Sequence, residues 1–280
     1  MKVGLTNDAA EFRAQVFEDL RADPVLNTVM LGAVASWADG TLSGPRPATF
    51  ARLLDDDGTL LATAMRTPPY QIGLMARTSP EHAVLLADTL VTECGDATGV
   101  HGSAEAAAAF AERWQSLTGR GSTPHLRSRL YRLGTLTVPA ADGVARAAGE
   151  DDLPMARDWY ADAVRVLGEP ATPEQVEQTM RAKIAEGTLW FWYDGDRPVS
   201  MVGYREPQYG VSRVGPVFTP EEFRNRGYAS ALTAHVSRVI RDSGADACLF
   251  TDLANPTSNK IYAAIGYEPV ADFVAYRFAV

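Results

Sequence analysis

Apolar residues recur at three- and four-residue spacing over Ala9–Arg21, Pro80–Glu93 and Ala104–Leu117, which predicts helices there. The same period predicts helices over Leu153–Val166, Pro173–Glu186, Tyr228–Ser243 and Ser258–Ile265. The most apolar early stretch, Val25 to Ala38, is interrupted by Asn27, Thr28 and Ser36. It is too short to cross a bilayer and reads as a buried helix. Shorter apolar runs read as strands. Phe50-Ala51-Arg52-Leu53-Leu54 passes through Asp57-Gly58 into Leu60–Met65, and Leu189–Tyr193 passes through Asp194-Gly195 into Val199–Tyr204. Both are hairpin patterns with an Asp-Gly turn. A third strand is expected after Pro68-Pro69-Tyr70 in the first case and after Pro207-Gln208-Tyr209 in the second, with strands at Val211–Phe218, Ala247–Thr251 and Val274–Ala279.

The two hairpins sit in matching places, so the halves read as a faint internal duplication. The sharpest break is Val138-Pro139-Ala140-Ala141-Asp142-Gly143, after which the acidic group Glu150-Asp151-Asp152 precedes Leu153-Pro154 as a helix start. The predicted domains are therefore residues 1–139 and 140–280. The second half reads β-α-α-β-β-β-α-β-α-β, which implies an α/β fold of the α+β type, with a mixed, mostly antiparallel sheet covered by helices in each domain.

Composition narrows the class. The 280 residues carry 46% hydrophobic and 22% charged side chains, enough for a core in each half and unlike a disordered chain. A formal net charge of −9 repels phosphate backbones, so nucleic acid is not an expected partner. Cys94 and Cys248 lie far apart among apolar neighbours and read as small core residues. The start, Met1 to Asp8, lacks the apolar run of a secretory signal, so no membrane association is expected and the cytoplasm is the expected compartment. His82, His101, His125 and His235 are scattered without ligand spacing, so no metal is expected. Neither a nucleophile elbow nor a Walker loop is present.

The chemistry is concentrated between Val214 and Tyr267. A strand ending Val214-Gly215-Pro216-Val217-Phe218 is followed by the turn Thr219–Phe223 and by Arg224-Asn225-Arg226-Gly227-Tyr228-Ala229. An apolar helix with Ala231, Leu232, Ala234, Val236 and Val239 comes next. Strand, basic glycine-containing loop and helix N-terminus together form an anion site. The first-turn amides lack internal acceptors and carry the positive end of the helix dipole. Gly227 and Ala229 are small enough for a diphosphate to approach the backbone. Taken alone, such a short fingerprint is a weak signal that also fits an ordinary helix start.

Downstream residues add to it. Ala247–Thr251 is a strand, followed by Asp252-Leu253-Ala254-Asn255-Pro256-Thr257-Ser258-Asn259-Lys260-Ile261-Tyr262 and a helix end at Ile265-Gly266-Tyr267. With Arg224, Gly227 and Ala229 matching an Arg/Gln-x-x-Gly-x-Gly/Ala motif, this segment resembles the GCN5-related N-acetyltransferase superfamily. The resemblance extends over about Val144 to Val280. The first half looks like a worn copy, because Arg77-Thr78-Ser79-Pro80-Glu81 stands where the phosphate loop should be. That half is expected to be structural.

The resemblance implies an acetyltransferase that moves an acetyl group from acetyl-CoA, as co-substrate, to the primary amine of a small molecule by direct attack in a ternary complex. It assigns the diphosphate to the loop of Arg224, Asn225, Arg226, Gly227, Tyr228 and Ala229. The pantetheine arm falls to the backbone of Val217, Phe218 and Thr219 and to Asn255, beside Ser258. Tyr262 would protonate the departing thiolate. The general base is not assigned by family. Glu206, in the loop before the central strand, is the first candidate, with Asp252 and Glu222 behind it and a water chain as the other route. Trp159, Tyr160, Asp158, Arg165 and the loop Leu167-Gly168-Glu169-Pro170 are expected to wall the acceptor. The alternatives are a non-catalytic acyl-CoA-binding protein of the same fold and a Rossmann nucleotide site. The latter lacks the second glycine and the acidic strand end it requires. Acceptor identity and oligomeric state are not legible.

Overall fold

The same string of elements occurs twice along the chain. In the computed structural model, which describes residues 1–44, 46–167 and 171–279, the first half contains β1 (Lys2–Thr6), α1 (Ala9–Arg21), α2 (Thr28–Ala38), β2 (Thr49–Leu54), β3 (Leu60–Arg66), β4 (Ile72–Leu74), α3 (Pro80–Glu93), β5 (Gly99–Ser103), α4 (Ala104–Thr118) and β6 (Ser122–Leu133). The second contains β7 (Val144–Ala147), α5 (Leu153–Leu167), α6 (Pro173–Ala185), β8 (Leu189–Asp194), β9 (Arg197–Tyr204), β10 (Val211–Phe218), α7 (Tyr228–Asp242), β11 (Asp246–Asp252), α8 (Pro256–Ile265) and β12 (Tyr267–Phe278). Local chemistry starts the helices where the pattern predicts. Asp8 accepts from the N–H groups of Ala10 and Glu11, and Ser79 caps α3 ahead of Pro80. Thr172 and Gln175 form a reciprocal capping box at α6.

Two compact units result, and they follow the chain only in part. One comprises Met1–Leu130, Phe250–Ala254 and Val270–Val280; the other comprises Tyr131–Leu249 and Asn255–Pro269. In the first unit the strands run β1-β2-β3-β4-β5, followed by the C-terminal part of β12. That part pairs antiparallel with β5 from Phe273 opposite Ser103 to Arg277 opposite Gly99. Phe278 stacks on Trp114 of α4 at 5.3 Å between ring centroids, so the end of the chain closes this core. β5 escaped the sequence pattern because its glycines carry no β-propensity. Gly99 is there for space, since a Cβ at that position would stand 2.1 Å from the Tyr276 carbonyl oxygen.

The second unit has the strand order β7-β8-β9-β10-β11, antiparallel up to β10 and parallel between β10 and β11. The uninterrupted apolar run of β8 is buried on both faces. Trp190 and Trp192 pack with α7 and α8 in one cluster, and Leu189, Phe191 and Tyr193 pack with α5 and α6 in another. The predicted break at 138–143 is tied to this unit. Gly134 N–H donates to the Gly266 carbonyl at 2.9 Å, Thr137 N–H to Ile265 at 2.8 Å, and the Trp192 indole to the Asp142 carbonyl at 2.8 Å. Cys94 and Cys248 are buried, as expected of small core residues, and neither forms a disulfide among the described residues. Among the described residues no helix is long and apolar enough to cross a membrane, and no His/Cys/Asp/Glu group could hold a metal ion.

Candidate functional site

β10 is paired differently on its two sides. Towards β11 the parallel ladder comprises Val211 with Asp246, Ser212 with Ala247 and Arg213 with Cys248. Among the described residues the ladder with β11 ends at Arg213. Towards β9, Val214 faces Tyr204 while Val217 faces Val202, so three residues of β10 advance against two of β9. The extra residue falls at Gly215-Pro216, a β-bulge that re-aims the strand. From Val214 to Phe218 the β11-side edge therefore offers backbone groups to an extended ligand, the arrangement by which sheets take up an added strand. The far end is held by Ser200, whose buried hydroxyl donates to the Phe218 carbonyl at 3.2 Å and meets the Thr219 hydroxyl at 2.8 Å.

The loop that follows is open to solvent. Arg224, Asn225, Arg226 and Gly227 are all exposed, with Ala229 half-buried behind them. Arg224 Nε donates to the Thr219 carbonyl at 3.0 Å and closes the turn. Asn225 and Gly227 both have positive φ, 64° and 82°, a left-handed pair that turns successive amides to one side. Gly227 is the N-cap of α7 and supplies no side-chain cap. Among the described residues, the N–H groups of Asn225 through Ser230 have no protein acceptor; the first bond of the helix runs from Ala231 N–H to the Gly227 carbonyl. The structure thus leaves a run of unpaired donors where the helix dipole is positive.

Tyr228 occupies a different position from its neighbours. Its ring is buried and its hydroxyl donates to Asp194 at 2.6 Å, a bond that raises its pKa. It ties the hairpin turn to the first residue of α7, within reach of the Arg226 side chain of the loop. Asp194 read in the sequence only as half of an Asp-Gly turn.

Asn255 caps α8, with Oδ1 accepting from Ser258 N–H at 3.0 Å, and its side chain is exposed. Tyr262 lies two turns into the same helix, 8% exposed, in the cluster that also holds Val214 and, at its margin, Val217. Tyr131, Tyr228 and Tyr267 each use their hydroxyl in a hydrogen bond. The Tyr262 hydroxyl has no partner among the described residues. Burial pushes its pKa up to about 12, so the phenol is fully protonated at neutral pH.

The structure does not bring Glu206 to the same place. It is exposed in the loop that enters β10, beside the Tyr204 phenol, whose pKa burial and the Glu206 charge raise. Val217, Phe218 and Thr219 lie at the strand's other end, a rise of about 3.3 Å per residue away. Asp252 Oδ1 accepts from Ala254 N–H at 2.8 Å, and Glu222 is exposed in the turn before Arg224. Trp159 is half-buried, edge-on to Phe191 at 5.6 Å and tilted on Phe218 at 6.0 Å, so it packs against the end of β10. Tyr160 is half-buried, Asp158 is exposed, and Arg165 pairs with Asp162. Gly168, Glu169 and Pro170 lie outside the described residues. Pattern alone did not reveal Lys183, which is buried with its ammonium donating to the Tyr204 carbonyl at 2.6 Å. Burial, chiefly, lowers its pKa to about 8.

This fold has counterparts among known proteins. The family model described as FR47-like protein matches residues 192–277. A GNAT-family acetyltransferase from Colwellia psychrerythraea superposes with a TM-score of 0.62 at 14% identity, covering 100% of both chains. A GCN5-related N-acetyltransferase from Sphaerobacter thermophilus gives 0.60 at 17% identity over 82% of each chain. A Drosophila protein gives 0.65 at 13% identity over 99% of this chain and 98% of its own. No curated protein matches the sequence. The chain has the GCN5-related N-acetyltransferase fold, with an FR47-like domain over residues 192–277.

Proposed function

We propose that this protein is an N-acetyltransferase that moves the acetyl group of acetyl-CoA onto the primary amine of a small molecule within a ternary complex. The observation that carries this reading is the run of unpaired amides from Asn225 to Ser230, exposed at its start, in the loop that follows a strand whose parallel ladder has ended. The donor set fits a diphosphate: amides aligned with the dipole, flanked by the cations of Arg224 and Arg226. The end of β10 at Val217 and Phe218, with Thr219 beyond it and the exposed side chain of Asn255, fits the amide-bearing pantetheine arm. Ser258 acts through its backbone, holding the Asn255 oxygen, and Tyr228 serves the loop as its anchor. Acetyl-CoA supplies an activated thioester when bound.

The residues then divide the chemistry. A neutral amine attacks the thioester carbon, the C–N bond forms as the C–S bond breaks, and the amine proton leaves to water. The Tyr262 phenol donates to the departing sulfur. With burial holding the phenol's pKa up to about 12, above that of an ordinary thiol, complete transfer of its proton is not favoured. The phenol therefore acts by a hydrogen bond that strengthens as charge collects on sulfur. Glu206 stands at the wrong end of β10 for direct contact and takes part only at the end of a water chain. Replacing it by Gln is expected to leave turnover within about threefold, well below the effect of removing a direct general base.

Thiol release from acetyl-CoA against a panel of amines tests the reading. Tyr262→Phe is expected to lower turnover on the order of 10²-fold or more with little change in acetyl-CoA affinity. Unaltered turnover would remove Tyr262 from the mechanism. Acetyl-CoA binding with no thiol release on any amine would make the protein a binding module instead.

A further inference from the structure

Tyr131 stands near the end of β6, the last strand of the first half, yet it belongs to the unit that holds Tyr262. Its ring is 5% exposed in the cluster shared by Tyr262 and Tyr267. Phenylalanine would fill that space equally well, so the hydroxyl needs its own account. It donates to Asn259 Oδ1 at 2.9 Å, and Asn259 Nδ2 donates to the Asn255 carbonyl at 2.8 Å. The second bond settles the amide's orientation, because a carbonyl oxygen can only accept and must face the NH₂. The Tyr131 hydroxyl then supplies the donor that the amide oxygen requires.

We propose that Tyr131 is a positioning residue for the donor arm: acting through Asn259, it fixes the backbone of Asn255 and with it the first turn of α8. The first half of the sequence thereby contributes to the site although it carries no phosphate loop of its own. This inference rests on the N-acetyltransferase reading, in which Asn255 meets the pantetheine arm.

Calorimetry on the full chain with two ligands tests it. One ligand is acetyl-CoA; the other is the nucleotide end of the coenzyme cut before the pantetheine arm, which reaches only the loop of Arg224 to Ala229. Tyr131→Phe is expected to weaken acetyl-CoA by about fivefold, the size of one hydrogen bond, and to leave the nucleotide fragment unchanged. A merely structural role would weaken both together. Asn259→Ala should reproduce the same split, and the double variant should lose no more than the larger single loss, because both act in one chain. Equal weakening of both ligands, no weakening, or additive losses would overturn the proposal. If the unaltered protein binds neither ligand, the acetyltransferase reading itself fails. If it binds both and the variants match it, this inference alone fails.

Discussion

Tyr262 and Lys183 are both buried groups whose protons are shifted by loss of water, in opposite directions and with opposite consequences. The Tyr262 phenol at about 12 stays protonated well past neutrality. Because its role is to donate a hydrogen bond to sulfur, turnover should hold without a basic limb up to about pH 10, where an unperturbed phenol would titrate; a rate falling with a midpoint near pH 8 to 9 would point to another group. Lys183, moved from 10.5 to about 8, is the reverse case. Between those values the unfolded chain binds a proton that the folded chain does not, so stability should rise with pH across that window and level off below it, where both states carry the proton. The span is worth roughly 3 kcal/mol for so buried a group. Lys183→Met should flatten that slope in urea titrations at pH 7.5 and 9.5, whatever it does to absolute stability. Neither residue was equally legible. Tyr262 stands at a motif spacing, whereas Lys183 sits in an ordinary amphipathic helix and its burial depends on a carbonyl of β9, distant in sequence.

The loop between β10 and α7 was the most legible element, because its behaviour is local. Positive φ at Gly227 and unpaired amides after it follow from a glycine N-cap with no side chain to close the turn. Gly227→Ala meets no atom nearer than 3.7 Å, so its penalty is conformational, about 1 to 2 kcal/mol for a left-handed alanine. Acetyl-CoA affinity is expected to fall roughly tenfold, as that energy is withdrawn from presenting the loop; calorimetry would show it. A Gly227→Ala protein that binds as tightly as the original would mean that the loop geometry is not used. The bulge at Gly215-Pro216 was less legible. Glycine and proline mark it, but only the mismatched registers with β9 and β11 show that the strand leaves its parallel neighbour. Ser200, which braces the Phe218 carbonyl, gave no signal at all in its strand.

At the scale of the molecule, the boundary expected at residues 139 and 140 falls between the two strings of elements, while the compact units draw on the chain differently. Residues 270–280 go with the first unit, and Tyr131 and Leu133 go with the core of the second. A fragment of residues 140–280 alone should therefore melt without cooperativity, lacking both the partner strand β5 for its own C-terminus and two buried side chains of its core. A sharp two-state transition for that fragment would contradict this account. In the full chain, Phe278→Ala should cost about 3 to 5 kcal/mol by urea unfolding, since it opens a cavity against Trp114 in the first unit. Acetyl-CoA affinity should be far less affected.

Sequence alone determined what depends on near neighbours: the repeated order of helices and strands, the Asp-Gly hairpins, the helix caps, and the loop of Arg224 to Ala229 before α7. These follow from periodicity, turn chemistry and backbone freedom, all set within a few residues. Tertiary structure decided which strand pairs with which and which polar groups meet. The pairing of β12 with β5, the bond from Tyr131 to Asn259 and the anchor from Tyr228 to Asp194 join positions far apart in the chain. Strand pairing and buried hydrogen bonds are satisfied by whatever the fold places opposite, so their partners become known only once the sheet has been assembled.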